Sequence, residues 1–314
     1  MCLPRFIEAT LTEFYVRTIF LPCFAILLSA TSSLAAERPN VIVVFTDDHG
    51  YADLGCQEVF NDLKTPHLDA LASGGIRMTD GYCTAPQCVP SRGGLISGQY
   101  QTKWGLESNP QFKDAAIMER FDQLQTVPER LKKAGYVTAM AGKWHLGEDN
   151  AEAIAKNGFD KVFFKHSNAP GHWNMNLQGE DIPPQVQKGG GYHLDLISSF
   201  AVAFINRFKD VPFFLYLAYR APHVPLDAPQ HYLDRFPGEM PERRRQALAM
   251  LSAVDDGVGR VVSTLNSPAL RGSGLGCCGL LHRFHPRLPI DRLDFVPIEP
   301  LVQCFTKGAL PREN

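Results

Sequence analysis

Residues 40–46, with the sequence NVIVVFT, decide the fold class of this chain. The run is apolar and β-branched without polar alternation, which is typical of a strand buried on both faces of a parallel sheet. Outward from it, apolar strands alternate with amphipathic helices. Further strands are predicted at 136–141 and 212–220, and helices at 66–75, 127–135, 195–210 and 241–265. This order predicts an α/β fold, with a mostly parallel sheet sandwiched by helices.

Length and composition are those of an ordinary globular protein. The chain has 314 residues, 45% hydrophobic and 20% charged, which is enough for one large domain or two small ones. Lys and Arg (31) nearly balance Asp and Glu (33), giving a formal charge of −2. We therefore expect no nucleic-acid partner, because nucleic-acid-binding surfaces carry an excess of basic residues.

The N-terminal region has the pattern of a secretory signal peptide. An apolar run at 19–30 follows Arg17 and precedes the small-residue stretch TSSLAA, so cleavage is expected near Ala36. A membrane anchor is the alternative, but about a dozen apolar residues fall short of the roughly 20 that span a bilayer. Residues 1–36 are therefore predicted to be removed from a secreted or periplasmic protein without stable membrane insertion.

Polar side chains follow three predicted strands at the point where each strand ends. Asp47 and Asp48 come after the first strand, Lys143 and His145 after the second, and His223 after the third. In open α/β sheets, ligands bind at the carboxyl ends of the strands. The sequence therefore predicts one shared site at this edge of the sheet.

The pair Asp47–Asp48 is a candidate metal site. Two adjacent carboxylates repel each other unless a cation compensates, and hard cations such as Ca²⁺ or Mg²⁺ prefer oxygen ligands. The alternative is a solvated acidic turn in which Asp48 caps a helix. The buried strand directly before the pair favours the metal.

Residues 88–92, CVPSR, form a second candidate group. Pro90 suits the first turn of a helix, and Gly98 suits its end, so Cys88 is predicted just before a helix N-terminus. Exposed backbone amides there favour an anion, including a thiolate. A tyrosine-phosphatase loop requires Arg six positions after the cysteine, but Gly94 stands there. A buried structural cysteine is the remaining alternative, and it leaves the Pro-Ser-Arg sequence unexplained.

The stretch CVPSRGGLISGQY at 88–100 resembles the signature of the formylglycine sulfatases, a family of the alkaline-phosphatase-like superfamily. Supporting similarities extend over 38–265. They are RPNVIVVFTDDHGYADLGC at 38–56, AGKWHLG at 141–147 and PFFLYLAYRAPHVPLDAP at 212–229. In its residue pattern, the third stretch most resembles galactosamine-sulfatase and arylsulfatase-B-like members.

This resemblance implies a nucleophile and a metal. A formylglycine-generating enzyme would oxidise Cys88 to an aldehyde, C-formylglycine, whose hydrate is a geminal diol that attacks the sulfur of a sulfate ester. Ca²⁺, with Mg²⁺ as the alternative, would be held by Asp47, Asp48 and the modified Cys88. The substrate would be a sulfated sugar or an aryl sulfate.

The resemblance also implies roles for four further side chains. Arg92 would hold the diol, because its planar fork suits oxyanions. Lys143 and His223 would bind sulfate oxygens, and His145 would orient the diol or relay a proton.

After Leu265 the sequence departs from the family pattern, in which a strand ending in an Asp-Asn pair completes the metal shell and a smaller C-terminal subdomain follows. The last core strands and that subdomain are therefore expected to be missing, and Asp255 and Asp256 are not expected to substitute, because they lie in a helix. A truncation or frameshift is the expected cause, with a divergent ending as the alternative. The predicted domains are a signal peptide at 1–36, a partial catalytic domain at 37–266 and an atypical tail at 267–314.

The departure leaves three functions open. Fewer metal ligands predict weak hydrolysis of sulfate esters by the chain as given. One alternative is an inactive remnant that binds metal or sulfated glycans weakly. The other is a phosphatase or phosphodiesterase of the same superfamily, against which Cys88 argues because Thr or Ser usually stands at that position.

Overall fold

The computed structural model describes residues 38–78, 81–147, 151–164, 191–267, 275–281 and 302–305. The predicted signal peptide at 1–36 lies outside these residues. The described residues, all from Arg38 onward, belong to one compact unit.

A single sheet organises the described part of the chain. Its six strands lie in the order β3-β2-β4-β1-β5-β6. Their bounds are Asn40–Asp47 for β1, Val137–Gly142 for β2, Lys161–Phe164 for β3, Phe213–Pro222 for β4, Leu275–Leu281 for β5 and Val302–Phe305 for β6. Every neighbouring pair is parallel except β5 with β6. The predicted α/β fold with a mostly parallel sheet is confirmed.

Helices cover both faces of this sheet. In the described ranges they are α1 Pro66–Gly74, α2 Cys88–Ser97, α3 Ala115–Asp122, α4 Val127–Lys133, α5 Ala151–Lys156, α6 His193–Arg207, α7 Gln230–Leu233 and α8 Glu242–Leu265. On one face, α1, α6 and α8 pack against β4 residues such as Leu215 and Leu217. On the other, α2, α3 and α5 pack against Phe214 and Tyr216. No described helix is long and apolar enough to cross a bilayer.

The central strands are buried on both faces, as their composition predicts. All ten residues of β4 are buried, and it lies between β1 and β2. The charged side chains of β1 and β4, Asp47 and Arg220, lie at or near the carboxyl ends of these strands, where the sheet opens into loops.

The sequence pattern predicts no core strand after Leu265, and here the structure differs. Leu275–Leu281 forms β5, which pairs in parallel with β1, and β6 pairs antiparallel with β5. The sequence of β5, LGCCGLL, contains two glycines and no β-branched residue, so its strand signal is weak. Pairing satisfies backbone groups along the β1 edge. The residues that follow β5 are His282 and Arg283 rather than an Asp-Asn pair.

Candidate active site

Three adjacent strands and one helix bring the predicted residues together. The strand order β2-β4-β1 puts the carboxyl ends of these strands side by side, and α2 covers the same end. The side chains that meet there are Asp47 at the end of β1 and Asp48 after it, Lys143 and His145 after β2, His223 after β4, and Cys88 and Arg92 of α2.

Backbone packing sets the position of Lys143. Gly142, the last residue of β2, has φ +110°, and a Cβ atom there would lie 1.9 Å from the carbonyl oxygen of Ala218. The next amide, of Lys143, donates to the same oxygen over 2.8 Å. Glycine is therefore required for the strand end to turn towards β1.

Asp47 is buried between two cations. Lys143 Nζ donates to Asp47 Oδ2, and Arg92 Nη2 lies 3.8 Å from Oδ1. All three side chains are at most 4% exposed. Burial alone raises the pKa of Asp47, but the charges of Lys143 and Arg92 outweigh burial and hold the pKa well below its ordinary value. Asp47 is therefore ionised throughout the physiological range.

Three further contacts fix the orientation of Arg92. Its Nη1 donates to the hydroxyl of Tyr216 and to the carbonyl of Lys143, both over 2.9 Å. Its guanidinium also lies 4.8 Å from the ring centroid of Phe45. Nε and Nη2 are buried and have no hydrogen-bond acceptor in the described part of the chain. These two donors are therefore available to an oxyanion beside Asp47.

Cys88 is the first residue of α2, one position into the helix rather than just before it, and it is buried. The following turn is held by Val89 N, which donates to Asn109 Oδ1, and by the Ser91 hydroxyl, which donates to the Cys88 carbonyl; both bonds are 3.0 Å long. The cysteine is thus held at a helix N-terminus, where exposed amides favour an anion. α2 ends at Gly98, with φ +65°, as predicted.

Asp48 and His223 face each other at the more open side of the site. The distance from Asp48 Oδ2 to His223 Nε2 is 3.6 Å, and both side chains are about 20% exposed. His223 Nδ1 lies 2.5 Å from the carbonyl oxygen of Val224. Because a carbonyl oxygen only accepts, Nδ1 carries the proton and Nε2 points towards the site.

His145 is neutral in this environment. Burial, reinforced by the positive charges of Lys143 and Arg92, lowers the pKa of His145 to about 3. Its backbone has φ +61°, a left-handed conformation uncommon outside glycine. At neutral pH this imidazole can exchange hydrogen bonds without adding to the positive charge of the site.

The donor set fits a divalent cation. One ligand atom from each of Asp47, Cys88 and His223 lies within 4.8 Å of the others. Asp48, which contacts His223, adds a second carboxylate. With residue 88 oxidised to an oxygen-bearing group, the set would be dominated by oxygen, as hard cations require.

A second group of potential ligands is structural. His67, Asp255 and Asp256 also lie within ligand reach of one another. Both oxygens of Asp255, however, accept the backbone amides of His67 and Leu68 at the start of α1. Asp256 pairs with Arg235 over 2.7 Å. Asp255 and Asp256 lie within α8, as predicted, and their hydrogen bonds and ion pair connect α8 to neighbouring elements.

Sequence reasoning missed two side chains near the site. Tyr216 and Arg220 lie on β4, on the same face as Ala218, because alternate residues of a strand share a face. Tyr216 supports Arg92, and Arg220 comes two residues beyond Ala218. The alternation was readable in the sequence, but a polar residue inside an apolar run does not by itself indicate which helix covers it.

Comparison with known proteins gives a consistent result. A sulfatase family model matches residues 39–272. Arylsulfatase J of Mus musculus is 31% identical over 245 residues, which are 73% of this chain and 40% of that protein. An arylsulfatase of Klebsiella aerogenes is 33% identical over 250 residues, covering 73% and 53%. Human N-acetylgalactosamine-6-sulfatase is 30% identical over 258 residues, covering 74% and 48%.

Solved structures resemble this fold as well. The crystal structure of Ps i-CgsB superposes with a TM-score of 0.66 at 28% identity, covering 78% of this chain and 58% of the other. BT4656, solved with its substrate D-glucosamine-2-N,6-O-disulfate, gives a TM-score of 0.64 at 19% identity, covering 86% and 71%. The chain spans about half the length of the three curated relatives named above, from 40% to 53%.

Proposed function

The chain belongs to the sulfatase family, and from that premise we propose that this site hydrolyses sulfate esters, with residue 88 as the nucleophile after its oxidation to formylglycine. The observation that carries the proposal is the convergence of Asp47, Cys88 and His223 beside two buried cations, Lys143 and Arg92. Hydrolysis of a sulfate ester needs a nucleophile, positive charge for the sulfate oxygens and a proton route, and side chains suited to each task meet here.

A divalent cation belongs to the proposal. Asp47, Asp48 and the oxygen of modified residue 88 would hold it, with Ca²⁺ favoured and Mg²⁺ as the alternative. The cation would polarise the sulfate and lower the pKa of the diol at residue 88.

The chain's own residues divide the remaining work. Nη2 of Arg92 lies beside Asp47, and neither Nη2 nor Nε has a hydrogen-bond acceptor among the described residues, so both donors are available to a hydroxyl or oxyanion at residue 88. Lys143 has three donors, and one suffices for Asp47, so another is available for a sulfate oxygen. With both ring nitrogens protonated, His223 would donate from Nε2 to a second sulfate oxygen. Neutral His145 would orient the diol or accept its proton.

A sulfated sugar or an aryl sulfate is the proposed substrate class. The curated relatives are named as arylsulfatases and an N-acetylgalactosamine-6-sulfatase. A formylglycine-generating enzyme is the required partner, because the thiol of Cys88 lacks the second hydroxyl whose deprotonation expels sulfate. The apolar run at 19–30 supports export as part of the same proposal.

The test is turnover of paired esters by the full chain, produced together with a formylglycine-generating enzyme and supplied with Ca²⁺. We expect weak hydrolysis of 4-nitrophenyl sulfate, in preference to 4-nitrophenyl phosphate, and its loss in Cys88→Ala and on addition of a calcium chelator. Mass spectrometry of the peptide containing residue 88 reports whether the oxidation has occurred.

Each alternative has its own result. Preference for the phosphate ester would indicate the phosphatase or phosphodiesterase function. Oxidised residue 88 with bound Ca²⁺ but no turnover of either ester would indicate the non-catalytic remnant. Turnover of the sulfate ester by Cys88→Ala equal to that of the parent chain would refute the proposed nucleophile.

A further inference from the structure

Arg220 is a buried cation on the site's side of the sheet to which no role has yet been given. It lies near the carboxyl end of β4 on the same face as Tyr216 and Ala218. That face packs against Val89 of α2, and Tyr216 on it contacts Arg92. The side chain of Arg220 therefore lies on the face of β4 that packs against α2, the helix that begins with Cys88.

Most of the hydrogen-bonding capacity of Arg220 is unused. The residue is 4% exposed, and its Nη2 donates to the carbonyl of Val224 over 2.9 Å. Nε and Nη1 are buried and have no acceptor in the described residues. A buried donor without a partner is costly, and more so when it is charged.

Arg244 shows what a structural arginine looks like in this protein. It is also 4% exposed, but all three of its nitrogens donate to carboxylates. Nη1 bonds Asp53 over 2.6 Å, and Nε and Nη2 bond Asp62 over 3.1 and 2.9 Å. Arg220 is thus as buried as Arg244, but fewer of its nitrogens have acceptors among the described residues.

The charges around Arg220 belong to the site. Burial lowers the pKa of its guanidinium, whereas the negative charges of Asp47 and Asp48 raise it, and Cys88 acts in the same direction. These groups do not use the free donors: Asp47 is held by Lys143, and no ion pair between Arg220 and either carboxylate occurs in the described chain. Arginine keeps its positive charge in proteins even when buried.

We propose that Arg220 is an anion-binding residue of the active site, in which one of the two unpaired donors, Nε or Nη1, donates to the sulfate group held against residue 88. The inference rests on the proposed function and deepens it by adding a cation to Lys143 and Arg92. Nε–H and Nη1–H lie on different sides of the guanidinium, so one of them forms a single charge-assisted hydrogen bond with a sulfate oxygen. Arg220 would then bear on how tightly sulfate, as substrate group or product, is bound.

The experiment measures binding of inorganic sulfate to the full chain with Ca²⁺ by isothermal titration calorimetry. In Arg220→Gln we expect the Kd for sulfate to rise about 10- to 100-fold, the range for loss of charge-assisted hydrogen bonds. Arg220→Lys keeps the charge but loses the planar guanidinium, so its Kd should lie between those of the parent chain and Arg220→Gln. Arg235→Gln is the matched control, because Arg235 pairs with Asp256 on α8 and should leave the Kd unchanged. Thermal unfolding of each variant checks that it is folded.

The outcomes separate this inference from the proposed function. Unchanged sulfate affinity in Arg220→Gln would overturn the inference. Ester hydrolysis by the parent chain would still support the proposed function in that case. Sulfate binding that depends on Arg220 in a chain without turnover would support the inference and reject the function. If the parent chain binds no sulfate, the inference fails. If Arg220→Gln does not fold, Arg220→Lys decides, and an unchanged Kd there overturns the inference.

Discussion

The buried acid Asp47 offers the sharpest test of how this site is built. Its carboxylate is the negative charge between Lys143 and Arg92, and replacing it with Asn keeps the shape but removes the charge. Two buried cations then face each other without compensation. We expect Asp47→Asn to destabilise the metal-free protein severely, apart from any effect on catalysis.

The magnitude follows from the burial of the three side chains. None is more than 4% exposed, so water screens their interaction weakly. Breaking a buried ion pair by removing one partner costs about 3–5 kcal/mol. Because one acid serves two cations here, the expected loss lies within that range rather than near the ~1 kcal/mol of exposed pairs.

Asp48 supplies the matched control. It is adjacent in sequence and is also a proposed metal ligand, but its side chain is about 20% exposed and lies 3.6 Å from His223. Its φ of +59° is a conformation that Asn tolerates well. Asp48→Asn should therefore cost less than about 1 kcal/mol in the metal-free protein.

The assay is urea denaturation in the presence of a chelator, followed by the fluorescence of the buried Trp104 and Trp144. Calcium titration of the folded proteins then measures the second property. We expect both variants to bind Ca²⁺ more weakly, but only Asp47→Asn to lose stability without metal. Equal stability of the two variants would refute the buried three-charge arrangement, whatever their calcium affinities.

Three further predictions concern single contacts. Tyr216→Phe removes an acceptor from the buried Arg92, so we expect an unfolding free energy lower by about 1–3 kcal/mol and a fall in kcat larger than any change in KM. An unchanged kcat would contradict the role of Tyr216 in orienting Arg92. Gly142→Ala places a Cβ atom 1.9 Å from the Ala218 carbonyl oxygen at a backbone φ of +110°, so circular dichroism and thermal unfolding should show a misfolded or severely destabilised chain. Native-like unfolding would disprove the close approach of Gly142 to the Ala218 carbonyl. Burial raises the pKa of Asp255 to about 6, so the folded state binds the proton more tightly than the unfolded state, and this stabilising contribution is lost as pH rises through 6. In urea titrations, the stability of the parent chain relative to Asp255→Asn should fall by about 1 kcal/mol between pH 5 and 7.5. Parallel pH profiles for the two proteins would argue against the raised pKa.

Local sequence patterns were sufficient for the main elements. The runs that became β1, β2 and β4 are mostly apolar, and β-branched residues dominate β1; the ends of these runs placed Asp47, Lys143 and His223 at strand ends. β5 could not be predicted in this way. Its glycine-rich sequence has little intrinsic strand preference, and it pairs because the β1 edge accepts it.

The contacts of the site needed the tertiary structure. Arg92 bonds Tyr216, which is 124 residues away in the chain, and the carbonyl of Lys143, which is 51 residues away. No local periodicity encodes such pairs, because they depend on which strand lies opposite which helix. The same holds for Asp255, whose carboxylate caps α1 from 187 residues away rather than joining the site.

By itself, the sequence determined the alternation of strands and helices, the polar residues at the strand ends and the motif around Cys88, since each is a property of neighbouring residues. The tertiary structure alone pairs Arg244 fully, while Arg220, equally buried, keeps two donors that have no acceptor among the described residues. The physical reason is that burial and pairing are set by side chains from distant elements, whose packing no single stretch of the chain specifies.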